Sequence, residues 1–501
     1  MGTPRILIVT PEISYLPENL GNMAQHMRAK AGGLADVSAS LVSALYRIGA
    51  DVHVAIPNYR RMFKIEASQL IESELRLYHS KLPDDRIHLA EDRTFYYRDQ
   101  VYSSYSQENQ HSSLVFQREV INNIIPRVRP DIIHCNDWMT AMIPAMARRM
   151  GIPSLFTIHN IHTVKFLLEH IEASGIDTAE FWQHLYYEYP PESYEQCRSN
   201  NPVDMLASGL FAAHWINTVS PSFLDEIVEG EHAAIPPSIR TELQNKRHAG
   251  YASGILNAPD PSYHPESDTA LVSNYNSDHF EKEKSKNKKA FQKRMRLDIR
   301  PDAPLFFWPS RLDPMQKGPE LLSGILTELV SAYKDDSLQI ALVADGEYHA
   351  IFQDIITLEN LQGSVSIQPF DESLSRLGFA ASDFMLMPSK FEPCGLTQMI
   401  ALKYGSLPIV RDTGGLKDTV SHLDPSQAQG NGFVFEDYDT QGLRWAIDCA
   451  MDFFHRPSNK KSAEIQRIMA EATTRFTHEQ TADQYVALYE EMLGRPLEPD
   501  D

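Results

Sequence analysis

The stretch Pro388 to Val420, PSKFEPCGLTQMIALKYGSLPIVRDTGGLKDTV, sets a strand end, an acidic turn, a helix, a buried strand and a second glycine turn in one run. Phe384 to Met387 is an apolar run of strand length that Pro388 stops. Glu392 then stands in a turn bounded by proline and glycine, just ahead of a helix expected over Leu396 to Lys403. Leu407 to Val410 reads as the next strand, and Gly414 and Gly415 open the turn after it. A carboxylate at a strand's carboxyl end, backbone amides in two turns and a helix N-terminus suit a ligand that carries hydroxyls and a phosphate. An ordinary βαβ unit whose glycines serve only tight turns has the same residue types, and these alone leave both readings open.

Working outward, 501 residues exceed one hydrophobic core, so two domains are expected. The net charge of -21 argues against a general nucleic-acid or membrane-surface role, since a polyanion is repelled there; any phosphate site has to be built locally. Cys135, Cys197, Cys394 and Cys449 are scattered without metal-type spacing or a disulfide framework, which points to a reducing cytoplasm. The start MGTPRILIVTPEIS has neither a long apolar segment nor a cleavage pattern, and no apolar run reaches membrane-spanning length.

In the first half, strands are expected at Arg5 to Thr10, Val52 to Ile56, Asp131 to Cys135 and Ser154 to Ile158. Between the first two lies KAGGLADVSASLVSALYRIGA, where Leu34, Val37, Leu41 and Leu45 have helical spacing, so Gly32 and Gly33 mark a helix start. Glycines let amides approach a phosphate and Lys30 adds a mobile positive charge; a solvated lysine before an ordinary helix is the plainer reading. From Tyr59 to Ser104 the pattern weakens, and Tyr97 and Asp99 carry little weight. His134, Asn136 and Asp137 are too close along one extended segment to converge on a metal, and Asp137 has a helix N-cap as its plain alternative. His159 ends a strand, where its ring edge can meet a ligand.

In the second half, Leu305 to Trp308 opens a new βαβ series that continues through Leu338 to Ala344, Val365 to Pro369 and Phe384 to Met387. Arg311 and Lys317 lie in the loop after its first strand, where a guanidinium fork and an ammonium can clamp two phosphates. The charge run from Glu281 to Lys289 reads as a solvated helix face.

FEPCGLTQ with YG and TGGLKDTV, together with KAGGLADV, HCNDW, TIHN, GILN and SRLDPMQKG, resembles the bacterial glycogen and plant starch synthases, and Trp215 to Ser220, the start of WINTVSPSF, resembles the last strand of that family's first domain. Ala31, the hinge GILNAPD with Ala258 and Pro259, and Tyr263 to Pro265 depart from that family's pattern. The resemblance implies an α/β GT-B fold of two Rossmann-like doubly wound domains facing a deep cleft. The expected division is 1–253 and 254–478, with 479–501 a helix returning to the first domain. It further implies a retaining glucosyltransferase moving glucose from ADP-glucose or UDP-glucose to the non-reducing end of an α-1,4-glucan such as glycogen or a maltooligosaccharide. Glu392 would hold glucose hydroxyls, His159 and Asp137 would orient the sugar, and Arg311 and Lys317 would stabilise the leaving diphosphate in place of a metal. Lys30, Gly32, Gly33, Asn257, Gly395, Leu396, Thr397, Gly414 and Gly415 would line the nucleotide-sugar site. No cofactor, metal, nucleic acid or membrane is called for. The alternatives are a related transferase making a small glucoside and a weakly active glucan-binding homologue.

Overall fold

The computed structural model describes residues 3–21, 24–64, 86–232 and 235–497. Residues 65–85 of the weakly patterned stretch, and the alanines at 233–234, lie outside the described residues. The chain divides into two compact units, Met1–Leu256 with His478–Asp501, and Asn257–Thr477.

The first unit holds a sheet in the order β3-β2-β1-β4-β5-β8-β9. Its strands are β1 (Arg5–Val9), β2 (Asp51–Pro57), β3 (Ile87–Ala90), β4 (Ile132–Asn136), β5 (Ser154–Ile158), β8 (Trp215–Thr218) and β9 (Ala252–Gly254). All neighbours run parallel, for example Ile6 beside Val52 on one side and Ile132 on the other. Continuous apolar runs such as ILIV and FTI follow from burial on both faces. The expectation that Trp215–Thr218 ends this sheet is corrected: Ala252–Gly254 pairs outside it, Ile216 beside Ala252. Three residues with two small side chains carry too little apolar pattern to read as a strand. A two-stranded ribbon, β6 (Lys165–Phe166) with β7 (Val203–Asp204), lies apart from the main sheet.

The second unit repeats the plan in the order β12-β11-β10-β13-β14-β15. The strands are β10 (Leu305–Trp308), β11 (Gln339–Val343), β12 (Val365–Gln368), β13 (Phe384–Met387), β14 (Leu407–Arg411) and β15 (Phe433–Phe435). In both sheets the order reverses beside the first strand, between β1 and β4 and between β10 and β13. Doubly wound sheets bind ligands outside the carboxyl ends at that reversal.

The charge run corrects a second expectation. The Glu281–Met295 helix buries Lys284 and Lys288. Lys284 Nζ donates at 3.0 Å each to the carbonyls of Ala380, Ser382 and Tyr404, which close the ends of two helices, and Lys288 pairs with Asp383 at 2.6 Å. Lysine is placed inside because helix ends present carbonyls without intrahelical donors.

The His478–Leu493 helix packs on the first unit through a buried polar chain. Tyr489 Oη donates to His134 Nδ1 at 2.6 Å, and His134 Nε2 donates to Thr157 Oγ1 at 2.6 Å. Thr157 donates in turn to Asn217, whose Nδ2 reaches the Tyr485 hydroxyl at 3.1 Å. Burial pushes the His134 imidazole down to about 3, so it stays neutral. Tyr489→Phe leaves the buried Nδ1 unpaired and is expected to cost about 1–3 kcal/mol, read as a lowered thermal midpoint with unchanged secondary structure.

Candidate functional site

In the second unit the loop after β10 meets the loop after β13. Lys390 N–H donates to the Gln316 carbonyl at 2.7 Å, and Gly318, at φ 73°, lies so close to Pro388 that a Cβ would stand 2.3 Å from its carbonyl oxygen. These contacts bring Lys317 Nζ to 2.5 Å from Glu392 Oε2, with both side chains largely buried. Ser389 Oγ donates to the same oxygen at 3.2 Å. Arg311, from the same loop as Lys317, is exposed to solvent. The loop thus holds one cation against a carboxylate and leaves another open.

The FEPCGLTQ turn is stitched from inside. Gly395 has φ 70°, and Gln398 Nε2 lies 3.1 Å from the Cys394 carbonyl, 2.9 Å from that of Gly395 and 3.0 Å from Thr419 Oγ1. Leu396 caps the Thr397–Lys403 helix, one residue later than expected. Asn257 is 6% exposed, its backbone N–H donates to the Cys394 sulfur, and its side-chain Oδ1 has no partner among the described residues. An unpaired buried acceptor costs stability unless a ligand donates to it.

Gly414 and Gly415 do not open a free turn. They begin a short helix, Gly414–Thr419, and the Gly415 amide donates to the Glu392 carbonyl at 2.9 Å. A Cβ on Gly415 would stand 2.0 Å from the Cys394 carbonyl oxygen, so this glycine serves the close approach of two turns and its amide is spent within the chain.

In the first unit, Lys30 Nζ pairs with Asp36 at 2.8 Å and remains 45% exposed. Gly32 precedes the Gly33–Arg47 helix with φ -153°, extended backbone that any residue adopts. Its amide is not open to a phosphate: the amides of Ala31 and Gly32 donate to Glu12 Oε2 at 2.6 and 2.9 Å. Glu12 follows β1, where a carboxylate after the first strand of a doubly wound sheet was a signal left unread.

Asp137, after β4, has φ 58° and caps no helix with its side chain, which overturns the N-cap alternative. A short 3-10 turn, Trp138–Thr140, follows it, and the helix Ile143–Met150 begins only after that turn. The carboxyl group instead spans to the end of β5, accepting from the His159 amide at 2.8 Å and Asn160 Nδ2 at 3.2 Å. Burial pushes it up to about 7 against the backbone amides of His159 and Asn160, with a smaller contribution from Glu12. His159 Nε2 lies 2.9 Å from Asn136 Oδ1, and Asn136 Nδ2 donates to the Val9 carbonyl at 3.1 Å, which orients the amide. The His159 proton therefore sits on Nε2, leaving Nδ1 as an acceptor. Burial pushes this ring down to about 3, so it is neutral across the working range. Tyr97 is exposed and Asp99 pairs with Arg61 at 2.8 Å.

Asp137 predicts a pH dependence. The folded chain keeps its proton up to about 7 and the unfolded chain only to the ordinary 3.8, so between these values the folded state binds more protons. Its contribution to stability falls as pH rises through that window. Asp137→Asn is expected to remove that slope, gaining on the parent as pH rises from 4 to 8 in thermal denaturation.

Comparison with known proteins follows the same division. The starch synthase catalytic domain family matches residues 5–235, and the family of glycosyl transferases group 1 matches 290–467. A glycogen synthase from Exiguobacterium sibiricum is 35% identical over 487 residues, covering 92% of this chain and 95% of its own. One from Moorella thermoacetica is 33% identical, covering 98% and 97%. Among solved structures, the catalytic domain of starch synthase IV from Arabidopsis thaliana, bound to ADP and acarbose, matches with a TM-score of 0.77 at 25% identity, across 99% of this chain and 100% of that one. With two doubly wound units and conserved length against these relatives, the chain belongs to the glycogen and starch synthase family and is a GT-B glycosyltransferase.

Proposed function

We propose that this glycosyltransferase moves glucose from a nucleoside diphosphate sugar, ADP-glucose or UDP-glucose, to the non-reducing end of an α-1,4-glucan, with retention at the anomeric carbon. The observation that carries the reading is the Lys317–Glu392 pair at 2.5 Å, at the reversal point of the second sheet beside exposed Arg311. A diphosphate competes for the ammonium, and sugar hydroxyls donate to the carboxylate that the ammonium then releases. The relatives are glycogen synthases and the Arabidopsis structure holds ADP, which favours ADP-glucose as the donor.

The reaction breaks the bond from the anomeric carbon to the diphosphate oxygen and forms one to the acceptor hydroxyl oxygen. The acceptor proton passes to the departing phosphate on the same face of the sugar. Charge grows on the leaving diphosphate, and fixed cations lower the barrier by meeting it there. Lys317 and Arg311 are assigned that role in the second unit, and Lys30 is the cation that the first unit offers to a phosphate. Among the described residues no three His, Cys, Asp or Glu side chains come together as a metal-binding group. Glu392 accepts from sugar hydroxyls, and Asn257 Oδ1, on a residue whose backbone meets Cys394 of the same turn, is a second acceptor. Neutral His159 offers Nδ1 to a hydroxyl, while Asp137 holds the His159 amide and so sets where that ring stands. Gly33, Gly395, Leu396, Thr397 and Gly414 shape the turns around these groups.

Two measurements test the reading. Purified chain incubated with glycogen and labelled ADP-glucose or UDP-glucose, with EDTA and no added metal, is expected to extend the glucan. A small labelled product, or glucan binding without incorporation, overturns it. Lys317→Ala and Glu392→Ala are each expected to lower kcat by about 10²-fold or more at retained secondary structure, since each removes a charge aimed at the reacting sugar phosphate. Near-parental kcat in both removes the site assignment.

A further inference from the structure

Glu12 is a buried acid for which the glucosyl-transfer reading has no task. It is 2% exposed, and one carboxyl oxygen takes both the Ala31 and Gly32 amides at 2.6 and 2.9 Å. Those amides lie immediately before the Gly33–Arg47 helix, where donors without intrahelical acceptors and the helix dipole favour an anion. An acid of the chain itself therefore stands where a phosphate oxygen would be expected.

Its placement is fixed from several sides. Ile13 and Ala29 exchange both backbone hydrogen bonds, at 2.9 and 2.8 Å, so the segment after β1 runs antiparallel to the one before the helix. Thr10 Oγ1 donates to the Glu12 carbonyl at 2.8 Å, and the Tyr102 hydroxyl donates to the second carboxyl oxygen at 3.3 Å. Lys30 is the residue between bridged Ala29 and captured Ala31. Its backbone is clamped on both sides, while its ammonium rests on Asp36 and stays nearly half exposed.

We propose that Glu12 is a positioning residue for the transfer: by holding the Ala31 and Gly32 amides it fixes the backbone of Lys30, so that the ammonium meets a phosphate of the nucleotide without first ordering the turn. The proposal rests on the glucosyl-transfer reading for its ligand. Preorganisation of this kind shows in donor affinity, because the cost of ordering Lys30 is met before binding. The charge has a second effect. The groups around it are the two amides, Tyr102, Tyr59, Asp36 with its partner Lys30, and Asp137 across the reversal point. Burial raises the Glu12 carboxyl against the two amide bonds, and its negative charge adds to the rise at Asp137.

The test compares the parent with Glu12→Ala and Glu12→Gln. In Glu12→Ala, hydrogen exchange at the Ala31 and Gly32 amides should rise roughly tenfold or more, with ADP Kd and donor KM rising by about the same factor and kcat changing less. Glu12→Gln keeps an oxygen for both amides, so exchange and ADP affinity should stay within about threefold of the parent. In a Lys30→Ala background, adding Glu12→Ala should weaken ADP binding by less than about twofold more, a coupling that a purely structural role does not produce. Unchanged exchange, ADP affinity within about twofold of the parent, or tighter ADP binding in Glu12→Ala each overturns the proposal. If Glu12→Ala does not fold, ADP affinity in Lys30→Ala within about twofold of the parent overturns it, since a cation that does not meet the ligand needs no positioning. A parent chain that binds ADP while Glu12→Ala binds it equally well removes only the role of Glu12; a parent that binds neither ADP nor UDP removes the transfer reading itself.

Discussion

At the reversal point of each sheet two neighbouring strands send their chains in opposite directions, and buried charge placed there has to be balanced by the protein itself. The second unit balances Glu392 with Lys317 across 75 residues of sequence. The first balances Glu12 with two backbone amides and leaves Asp137 against two more donors. A buried carboxylate without such partners costs several kcal/mol. The loops carrying these groups are held in place by the need to meet that cost, and the turns described above follow from it.

The two units solve the problem differently, and the difference is chemical. An ammonium on a carboxylate can be exchanged for a ligand's phosphate and hydroxyls, since both partners gain a replacement when a sugar diphosphate enters. Amides on a carboxylate are less readily surrendered, because they belong to the backbone of a turn that also carries Lys30. His159 and Asp137 follow the same economy of partners: the ring is neutral and tied through Nε2, and the acid spends its oxygens on the strand end that presents the ring. Burial moves their protonation in opposite directions, keeping the base unprotonated and the acid protonated up to about neutral pH.

Much of this was legible in residue order. Continuous apolar runs such as FFW at Phe306 and FMLM at Phe384 announce strands buried on both faces, and glycine or proline after them announces the turns. The family motifs likewise carry Lys317, Glu392, Asp137 and His159. Local pattern fails where a residue's partner is distant. Lys284 looked solvated because its neighbours are charged, yet its acceptors lie about a hundred residues on. Gly415 looked like a phosphate cradle because glycine suits one, yet the carbonyl it avoids belongs to Cys394.

The sequence by itself determined the alternation of strand and helix, the expectation of two α/β domains and the identity of the charged residues after their strands, because burial and turn geometry act over a few residues at a time; the doubly wound plan came from the family resemblance. Only the tertiary structure decided which of those charges and amides are already spent. That depends on contacts such as Ile13 with Ala29, Asp137 with His159 and Gly415 with Glu392, made between loops that local propensity cannot bring together.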